Sequence, residues 1–198
     1  MNRNGLHRAM VVAAIAWCWT LPAQADAHRF AAQAVASANN QGQPFAVIDK
    51  TAATVNLYDA SGKLMAASPV LLGQAKGDAS VPGIGERPMQ DIAPHERTTP
   101  AGRFVSEPGK NLAGETVVWI DYDAAVSMHR LRPSSPHEKR PERMATVTPS
   151  DNRITYGCVN VPAEFYDRWV LPSLGKTAGV VYVLPETQPA KKLFSFLR

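Results

Sequence analysis

Residues 45–184 form a succession of short apolar segments separated by turn residues, a pattern that predicts a mainly β fold. The clearest segment is 116–121, in which β-branched and aromatic residues dominate. A helix is predicted to start at Pro162, because proline suits the first turn and apolar residues follow at helical spacing. We therefore expect a β-sandwich or partly closed barrel with one or two short helices.

The N-terminus has the layout of a bacterial-type secretory signal. A basic stretch ending at Arg8 precedes an apolar run over residues 9–19, and small residues follow as far as Ala27. The apolar run is shorter than the roughly 20 residues that span a bilayer, which favours a cleaved leader over an anchor. We predict a signal peptide over 1–27, cleaved after Ala25 or Ala27, and an exported, periplasmic protein with no membrane span after cleavage.

The remaining chain is long enough for one domain with one hydrophobic core. We predict an N-terminal arm over 28–44, which can also form a short helix over 30–43, then a domain over 45–185 and a tail over 186–198. Lys and Arg number 21 and Asp and Glu 17, so loss of Arg3 and Arg8 leaves 19 against 17. A net charge of +2 gives little reason to expect nucleic acid as a partner.

Cleavage would also remove Cys18 and leave Cys158 as the single cysteine. A single cysteine can form neither an internal disulfide nor a multi-cysteine metal site. It is then a buried inert thiol, an intermolecular bridge or a reactive thiol, and a reactive thiol needs a nearby base. The candidate bases are His28, His95, His129 and His137.

His129 ends a predicted strand and Cys158 lies within another, predicted over 153–161. If these strands are neighbours, a hydrogen bond between the two side chains is easily formed. Gly157 permits close approach of a substrate backbone, and backbone N–H groups near Gly157 and Cys158 would form an oxyanion hole.

The segment 155–160, Thr-Tyr-Gly-Cys-Val-Asn, resembles the signature of the L,D-transpeptidase catalytic domain (YkuD-like) family: Ser or Thr, His, Gly, Cys, a hydrophobic residue, then Asn or Arg. Three other segments agree in order along the chain. Residues 57–64 look like the early hairpin of the family, residues 99–104 look like its Thr-Pro-x-Gly-x-Phe segment, and residues 126–129 look like the strand that delivers its histidine. The resemblance extends over about 45–184.

The resemblance implies an enzyme that binds a peptidoglycan tetrapeptide stem. Cys158 would attack the amide carbonyl before the terminal D-alanine, His129 would act as base, and the backbone carbonyl of Arg130 would orient the imidazole. Supporting, oxyanion or substrate contacts would come from Arg130, Arg153, Thr155, Tyr156, Gly157 and Asn160.

The acyl group would then pass to the amine of a second stem, to a lipoprotein or to water, and no metal or organic cofactor is implied. A hydrolytic L,D-carboxypeptidase or thiol amidase and a non-catalytic wall-binding domain remain alternatives.

The chain departs from the family in two places. Tyr156 stands where the family usually has histidine, a position that lines the site and is not the base. The spacing from His129 to Cys158, 29 positions, is longer than usual. His137 fits the spacing better but lies in a Pro-rich stretch that predicts a loop, so we prefer His129.

The extra residues form a predicted insert over 130–152, a lid or rim beside the site. Its neighbourhood is basic, with six cationic residues, Arg130, Arg132, Lys139, Arg140, Arg143 and Arg153, against three acidic ones, Glu138, Glu142 and Asp151. The cations either recognise carboxylates of the stem peptide or form a solvated loop.

Overall fold

The computed structural model describes residues 22–132 and 135–198. The basic and apolar parts of the predicted signal peptide lie outside these residues. The strands are β1 (Phe45–Asp49), β2 (Thr54–Tyr58), β3 (Leu64–Pro69), β4 (Leu72–Gly73), β5 (Gly102–Lys110), β6 (Thr116–Asp121), β7 (Val126–Arg130), β8 (Arg153–Thr155), β9 (Val159–Val161) and β10 (Gly179–Leu184).

Helices are short apart from the first. They are α1 (Pro22–Ala36), α2 (Arg140–Ala145), α3 (Ala163–Phe165) and α4 (Leu171–Leu174), with a π-helical turn (Tyr166–Val170) between the last two. Short 3-10 turns occupy Ile84–Glu86, Met89–Asp91, Pro94–Glu96, Pro136–Glu138, Pro149–Asn152 and Ala190–Lys192. No helix in the two described ranges is both long and apolar enough to cross a membrane.

Eight strands form one mixed sheet in the order β3-β2-β1-β10-β5-β6-β7-β9, and β4 pairs with β8 in a second, two-stranded sheet. The pairs β1–β10 and β7–β9 are parallel, and the other pairs of the large sheet are antiparallel. A bridge between Leu71 and Asn160 links the segment after β3 to β9 at the far edge. The sheet is thereby nearly closed, and the predicted mainly β, partly closed barrel is confirmed.

Strand β1 shows why the apolar runs are continuous rather than alternating. Its Ala46 and Ile48 belong to the core inside the barrel, whereas Phe45 and Val47 face outward onto α1. Because successive side chains of a strand point to opposite faces, a strand covered on both faces needs apolar residues at every position. Helix α1 therefore completes a second core on the outside of the sheet.

Two predicted strands are broken in the structure. The segment predicted as one strand over 153–161 is split into β8 and β9, and Cys158 lies in the bend between them instead of within a strand. Gly157 has φ 131°, a conformation that interrupts the ladder and that residues with a Cβ rarely adopt. The third predicted strand, over 64–73, is likewise divided into β3 and β4. Helix α1 begins at Pro22, earlier than the helix predicted over 30–43.

Candidate active site

The parallel pairing of β7 with β9 brings the two reactive side chains together. In this register His129 is opposite Asn160, and Cys158 immediately precedes β9. The imidazole of His129 and the thiol of Cys158 lie close enough for each to shift the pKa of the other. Strand pairing therefore brings together two side chains that are 29 positions apart in sequence.

Cys158 is half-buried and is surrounded by polar atoms of β7 and of the turn before it. Its Sγ lies 3.8 Å from Ser127 Oγ and 3.6 Å from the carbonyl oxygen of Ala125. Burial opposes ionisation, but the hydrogen bond and charge of His129, with hydrogen bonds from Ser127, outweigh it and hold the pKa of the Cys158 thiol below its ordinary value. A lowered thiol pKa increases the fraction of nucleophilic thiolate near neutrality.

Both ring nitrogens of His129 have partners. Nδ1 lies 2.8 Å from the carbonyl oxygen of Arg130, so it carries the proton and donates it, and Nε2 lies 3.1 Å from Nδ2 of Asn160. Burial lowers the pKa of His129 and Arg140 adds to this, but hydrogen bonding and charge from Cys158, with the Arg130 carbonyl, raise the pKa above its ordinary value. The opposite shifts of the two side chains favour proton transfer from the thiol to the imidazole.

Two threonine hydroxyls fix the backbone of the bend that carries Cys158. Thr155 Oγ1 donates to the carbonyl oxygen of Cys158 at 2.7 Å and accepts from the N–H of Gly157 at 3.1 Å. Thr99 Oγ1 donates to the carbonyl oxygen of Gly157 at 2.8 Å and accepts from the N–H of Gly73 at 2.9 Å. Because its N–H is already bonded to Thr155, Gly157 is not available as an oxyanion donor. Of the two backbone N–H groups expected to form the oxyanion hole, only that of Cys158 remains a candidate.

Gly157 is required by space as well as by conformation. A Cβ at this position would lie 2.8 Å from the carbonyl oxygen of Thr98, closer than real Cβ contacts come. Gly157 thus permits close approach of the backbone at Thr98. The sequence had suggested that it permits close approach of a substrate backbone.

Tyr156 is half-buried, and its ring is covered by a guanidinium. The Cζ of Arg97 lies 3.9 Å from the ring centroid, a cation–π contact. Arg97 also donates from Nε and Nη2 to the carbonyl oxygen of Ile92 and from Nη1 to Oε1 of Gln74. The ring of Tyr156 is therefore one half of a stacked pair.

Arg153 does not join the site with Cys158. Its guanidinium pairs with the carboxylate of Glu186 at 2.6 Å and donates to the carbonyl oxygen of Lys50 at 2.7 Å. Strand β8 directs this side chain to a buried ion cluster on the other side of the bend. Arg153 was predicted to make a supporting, oxyanion or substrate contact, and in the fold its guanidinium is bonded to Glu186 and Lys50 instead.

Most of the other basic residues around the insert have partners within the chain. Arg130 pairs with Asp167, Arg132 with Glu115, and Arg140 with Glu138. Arg143 donates to the carbonyl oxygens of Glu138 and Asp151. These contacts hold the insert in place. They occupy guanidinium N–H groups that the sequence analysis proposed as donors to substrate carboxylates.

His137 occupies an exposed position in the 3-10 turn Pro136–Glu138, where its backbone N–H donates to the hydroxyl of Ser135. His137 lines a small surface pocket of about 260 Å³ together with Lys139, Glu142, Arg143, Thr146 and Asp151. His137 is thus placed on the insert surface, whereas His129 lies beside the thiol.

The structure adds three residues that sequence reasoning missed: Ser127, Thr99 and Arg97. Ser127 had a usable signal, since it lies two positions before His129 on a predicted strand and so faces the same side of the sheet. Thr99 and Arg97 come from a distant loop, and only the folded chain brings them to the bend. Arg140, predicted only as a basic residue of the insert, contacts Asn160. Within the described residues, no three His, Cys, Asp or Glu side chains are grouped closely enough to hold a metal ion.

Comparison with known proteins gives likeness of structure only. No protein-family model matches the chain, and no curated protein matches it significantly. Among solved structures, an L,D-transpeptidase from Mycobacterium smegmatis is similar with 17% identity and TM-score 0.41, covering 71% of this chain and 58% of that one. The cell shape determining protein Pgp2 from Campylobacter jejuni is similar with 13% identity and TM-score 0.47, covering 74% and 49%.

The catalytic domain of an L,D-transpeptidase from Enterococcus faecium is similar with 18% identity and TM-score 0.40, covering 72% of this chain and 98% of that one. The chain spans only 49–58% of the length of three of the solved structures that it resembles. Since every one of these TM-scores is below 0.5, the function proposed below rests on the site and on the sequence motifs.

Proposed function

We propose that this chain is an exported peptidoglycan L,D-transpeptidase with Cys158 as nucleophile and His129 as base. The observation that supports it best is the pairing of β7 with β9, which brings His129 beside Cys158, where the pKa of the thiol is lowered and that of the imidazole is raised. These opposite shifts favour formation of the thiolate that attack on an amide requires. The ordered motifs at 57–64, 99–104, 126–129 and 155–160 supply the substrate class by resemblance.

Acylation begins with transfer of the Cys158 proton to Nε2 of His129. The thiolate then attacks the amide carbonyl before the terminal D-alanine, a C–S bond forms, and the N–H of Cys158 would stabilise the oxyanion. His129 returns the proton to the leaving nitrogen, the C–N bond breaks, and free D-alanine departs. The stem remains attached to Cys158 as a thioester.

Deacylation repeats these steps with a new nucleophile. An amine from a second stem attacks the thioester carbonyl, His129 accepts its proton, and the C–S bond breaks as the thiol is regenerated. A lipoprotein amine or water would follow the same course, so the acceptor determines whether the product is a cross-link, an anchored protein or a trimmed stem.

The test is intact mass spectrometry of the mature protein and of its products after incubation with purified tetrapeptide muropeptides. We expect loss of D-alanine with dimeric product, abolished in Cys158→Ala and in His129→Ala. His137→Ala is the matched control, since it removes the alternative base from the exposed turn, and we expect it to retain activity.

Loss of D-alanine without dimers would assign the hydrolytic reaction instead. Unchanged muropeptides would contradict both enzymatic functions and favour a wall-binding role. Activity that survives His129→Ala but is lost in His137→Ala would overturn the assignment of the base.

A further inference from the structure

The side chain of Asn160 connects the insert to the base. It is only 1% exposed, its Oδ1 accepts from Nη1 of Arg140 at 3.0 Å, and its Nδ2 lies 3.1 Å from Nε2 of His129. Arg140 is the first residue of α2, in the insert that lengthens the spacing between His129 and Cys158. The insert therefore contacts the reactive pair through a buried amide.

Arg140 determines which end of that amide faces the base. A guanidinium has donors only, whereas a carboxamide has one acceptor end and one donor end. The oxygen of Asn160 must consequently face Arg140, and its NH₂ group must face His129. If the amide were reversed, its NH₂ would oppose the guanidinium, donor against donor.

This orientation favours one protonation state of His129. Nδ1 already carries a proton, because its partner is a carbonyl oxygen. An NH₂ group directed at Nε2 is satisfied only if Nε2 is an acceptor, as in neutral imidazole. The contact between Cys158 Sγ and the carbonyl oxygen of Ala125 at 3.6 Å agrees with this state, since a thiol can donate to a carbonyl and a thiolate cannot.

We propose that Arg140 is a positioning residue that fixes the Asn160 amide and so restrains transfer of the Cys158 proton to His129. Formation of imidazolium would place an N–H of Nε2 against the NH₂ of Asn160. Removal of Arg140 would free the amide to reverse and accept from Nε2, which would stabilise the imidazolium and thiolate. The proposal rests on the Cys158–His129 chemistry proposed above and not on any particular donor or acceptor of the acyl group.

The charged groups around the pair leave this orienting effect intact. Arg140 is itself paired with Glu138 at 2.7 Å, so its positive charge at the site is partly neutralised. From β7, Arg130 is directed to Asp167 and to Thr116. The two other groups in polar contact with the thiol within the described residues, Ser127 and the carbonyl of Ala125, are uncharged.

The experiment is the rate of Cys158 alkylation by iodoacetamide, measured by intact mass between about pH 5 and pH 9, the range in which His and Cys side chains titrate. In Arg140→Met, which retains an unbranched side chain of similar length, we expect the thiolate inflection to move down by about half to one pH unit. Alkylation below the inflection should then be about 3- to 10-fold faster. Arg140→Lys retains both charge and donor and should titrate like the wild type.

Lys139→Met is the matched control, because it removes one positive charge from the adjacent exposed position of the same insert. We expect no shift. In an Asn160→Ala background, Arg140→Met should also have no effect, since the amide that transmits the orientation is gone. Thermal melting of each variant identifies any loss of folding.

An unchanged or slower alkylation in Arg140→Met would overturn the proposal, as would an equal shift in Lys139→Met, which would indicate long-range charge alone. If wild-type Cys158 titrates as an ordinary thiol and His129→Ala leaves its reactivity unaltered, the reactive pair itself fails and both proposals fall. If the pair behaves as proposed but Arg140→Met has no effect, only the role of Arg140 is wrong.

Discussion

Thr99 donates its hydroxyl proton to the carbonyl oxygen of Gly157 at 2.8 Å, one residue before the proposed nucleophile. The same hydroxyl accepts from the N–H of Gly73, and Thr99 is fully buried. The carbonyl oxygen of Thr99 in turn accepts from Nζ of Lys50 at 3.0 Å. The bend that carries Cys158 is thus attached to a distant loop through one side chain.

Replacement of Thr99 by valine, which has nearly the same shape, should leave two buried polar groups of the backbone without their partner. We expect the free energy of unfolding to fall by about 1–3 kcal/mol, the cost of such a loss. Because the bend is then less well fixed, alkylation of Cys158 should also slow. Urea unfolding and the alkylation rate measure the two effects.

Thr99→Ser is the matched control, because serine keeps the hydroxyl and should retain most of the stability and reactivity. A Thr99→Val variant as stable and as reactive as the wild type would show that Thr99 does not fix the bend.

The pH dependence of Cys158 alkylation should report the opposite pKa shifts of the pair. A thiolate is the reactive form, and the pKa of the Cys158 thiol is held below its ordinary value by His129. The rate in the wild type should therefore rise with pH to a plateau, with its inflection below about pH 8.5, the usual thiol pKa. In His129→Ala the inflection should move up, since burial is then opposed only by the hydrogen bonds from Ser127.

The measurement is the rate at each pH by intact mass, with His137→Ala as the variant that should not move the inflection. An inflection at the same pH in the wild type and in His129→Ala would contradict the proposed pairing.

The mainly β fold was predictable because each strand carries its own local signal. β6 is rich in β-branched and aromatic residues, and β1 is a continuous apolar run that ends at a charged residue. The position of Cys158 was less predictable, since the break between β8 and β9 depends on contacts of Thr155 and Thr98 with Gly157. The approach of Thr98 to Gly157 joins distant parts of the sequence, and no local pattern encodes it.

Charged residues of the site were the hardest to place from sequence. Arg153 lies close to Cys158 along the chain, and Arg140 lies in the insert. The sequence analysis grouped both as basic residues available to a substrate. In the fold Arg153 turns toward Glu186, and Arg140 turns toward Asn160. A strand sends neighbouring side chains to opposite faces, but the identity of the partner on each face is a property of the tertiary structure.

The buried ion cluster around Lys50 should make the protein sensitive to loss of a single charge. Nζ of Lys50 is fully buried and lies 2.8 Å from Asp78 Oδ1 and 3.6 Å from Glu186 Oε1. Lys50→Met would leave Glu186 paired with Arg153 and would remove the cationic partner of Asp78. We expect the free energy of unfolding to fall by about 3–5 kcal/mol, as when one partner of a buried ion pair is removed.

This loss should depend on pH. Burial raises the pKa of Asp78, but hydrogen bonds from Lys50, Thr187 and the backbone N–H of Glu186 outweigh it and hold the pKa well below its ordinary value. A lowered carboxyl pKa stabilises the fold above about pH 4, the unfolded value, and that stabilisation is lost as the pH falls further. The difference between wild type and Lys50→Met should therefore narrow below about pH 4.

Urea unfolding at several pH values measures both effects, and Lys63→Met, at an exposed turn position, should match the wild type. A constant difference across the acid range would mean that the cluster is not the source of the stability.

Export should leave a mature chain that begins at Asp26, not at His28. Ala27 is completely buried against the outer face of the sheet, in the same cluster as Phe30 and Tyr182. Cleavage after Ala25 retains this contact and the Asp26–Arg29 pair, whereas cleavage after Ala27 removes both. N-terminal sequencing of protein recovered from the periplasm distinguishes the two, and a chain that still begins at Met1 would contradict export by cleavage.

Tyr156 should contribute through its ring and not through its hydroxyl. The ring accepts the guanidinium of Arg97 on its face, and this contact is available equally to phenylalanine. Tyr156→Phe should therefore retain alkylation of Cys158 and turnover of muropeptides within about twofold, consistent with a cation–π contact of about 0.5–1 kcal/mol that either ring can make. Tyr156→Ala, which removes the ring, should slow both reactions and lower the thermal midpoint.

Arg97→Lys is the complementary variant, since an ammonium cannot stack in the planar manner of a guanidinium, and its effect should be smaller in Tyr156→Ala than in the wild type. Loss of turnover in Tyr156→Phe with unchanged alkylation would place the hydroxyl in substrate binding. That result would give the Tyr156 hydroxyl a hydrogen-bonding role toward the substrate.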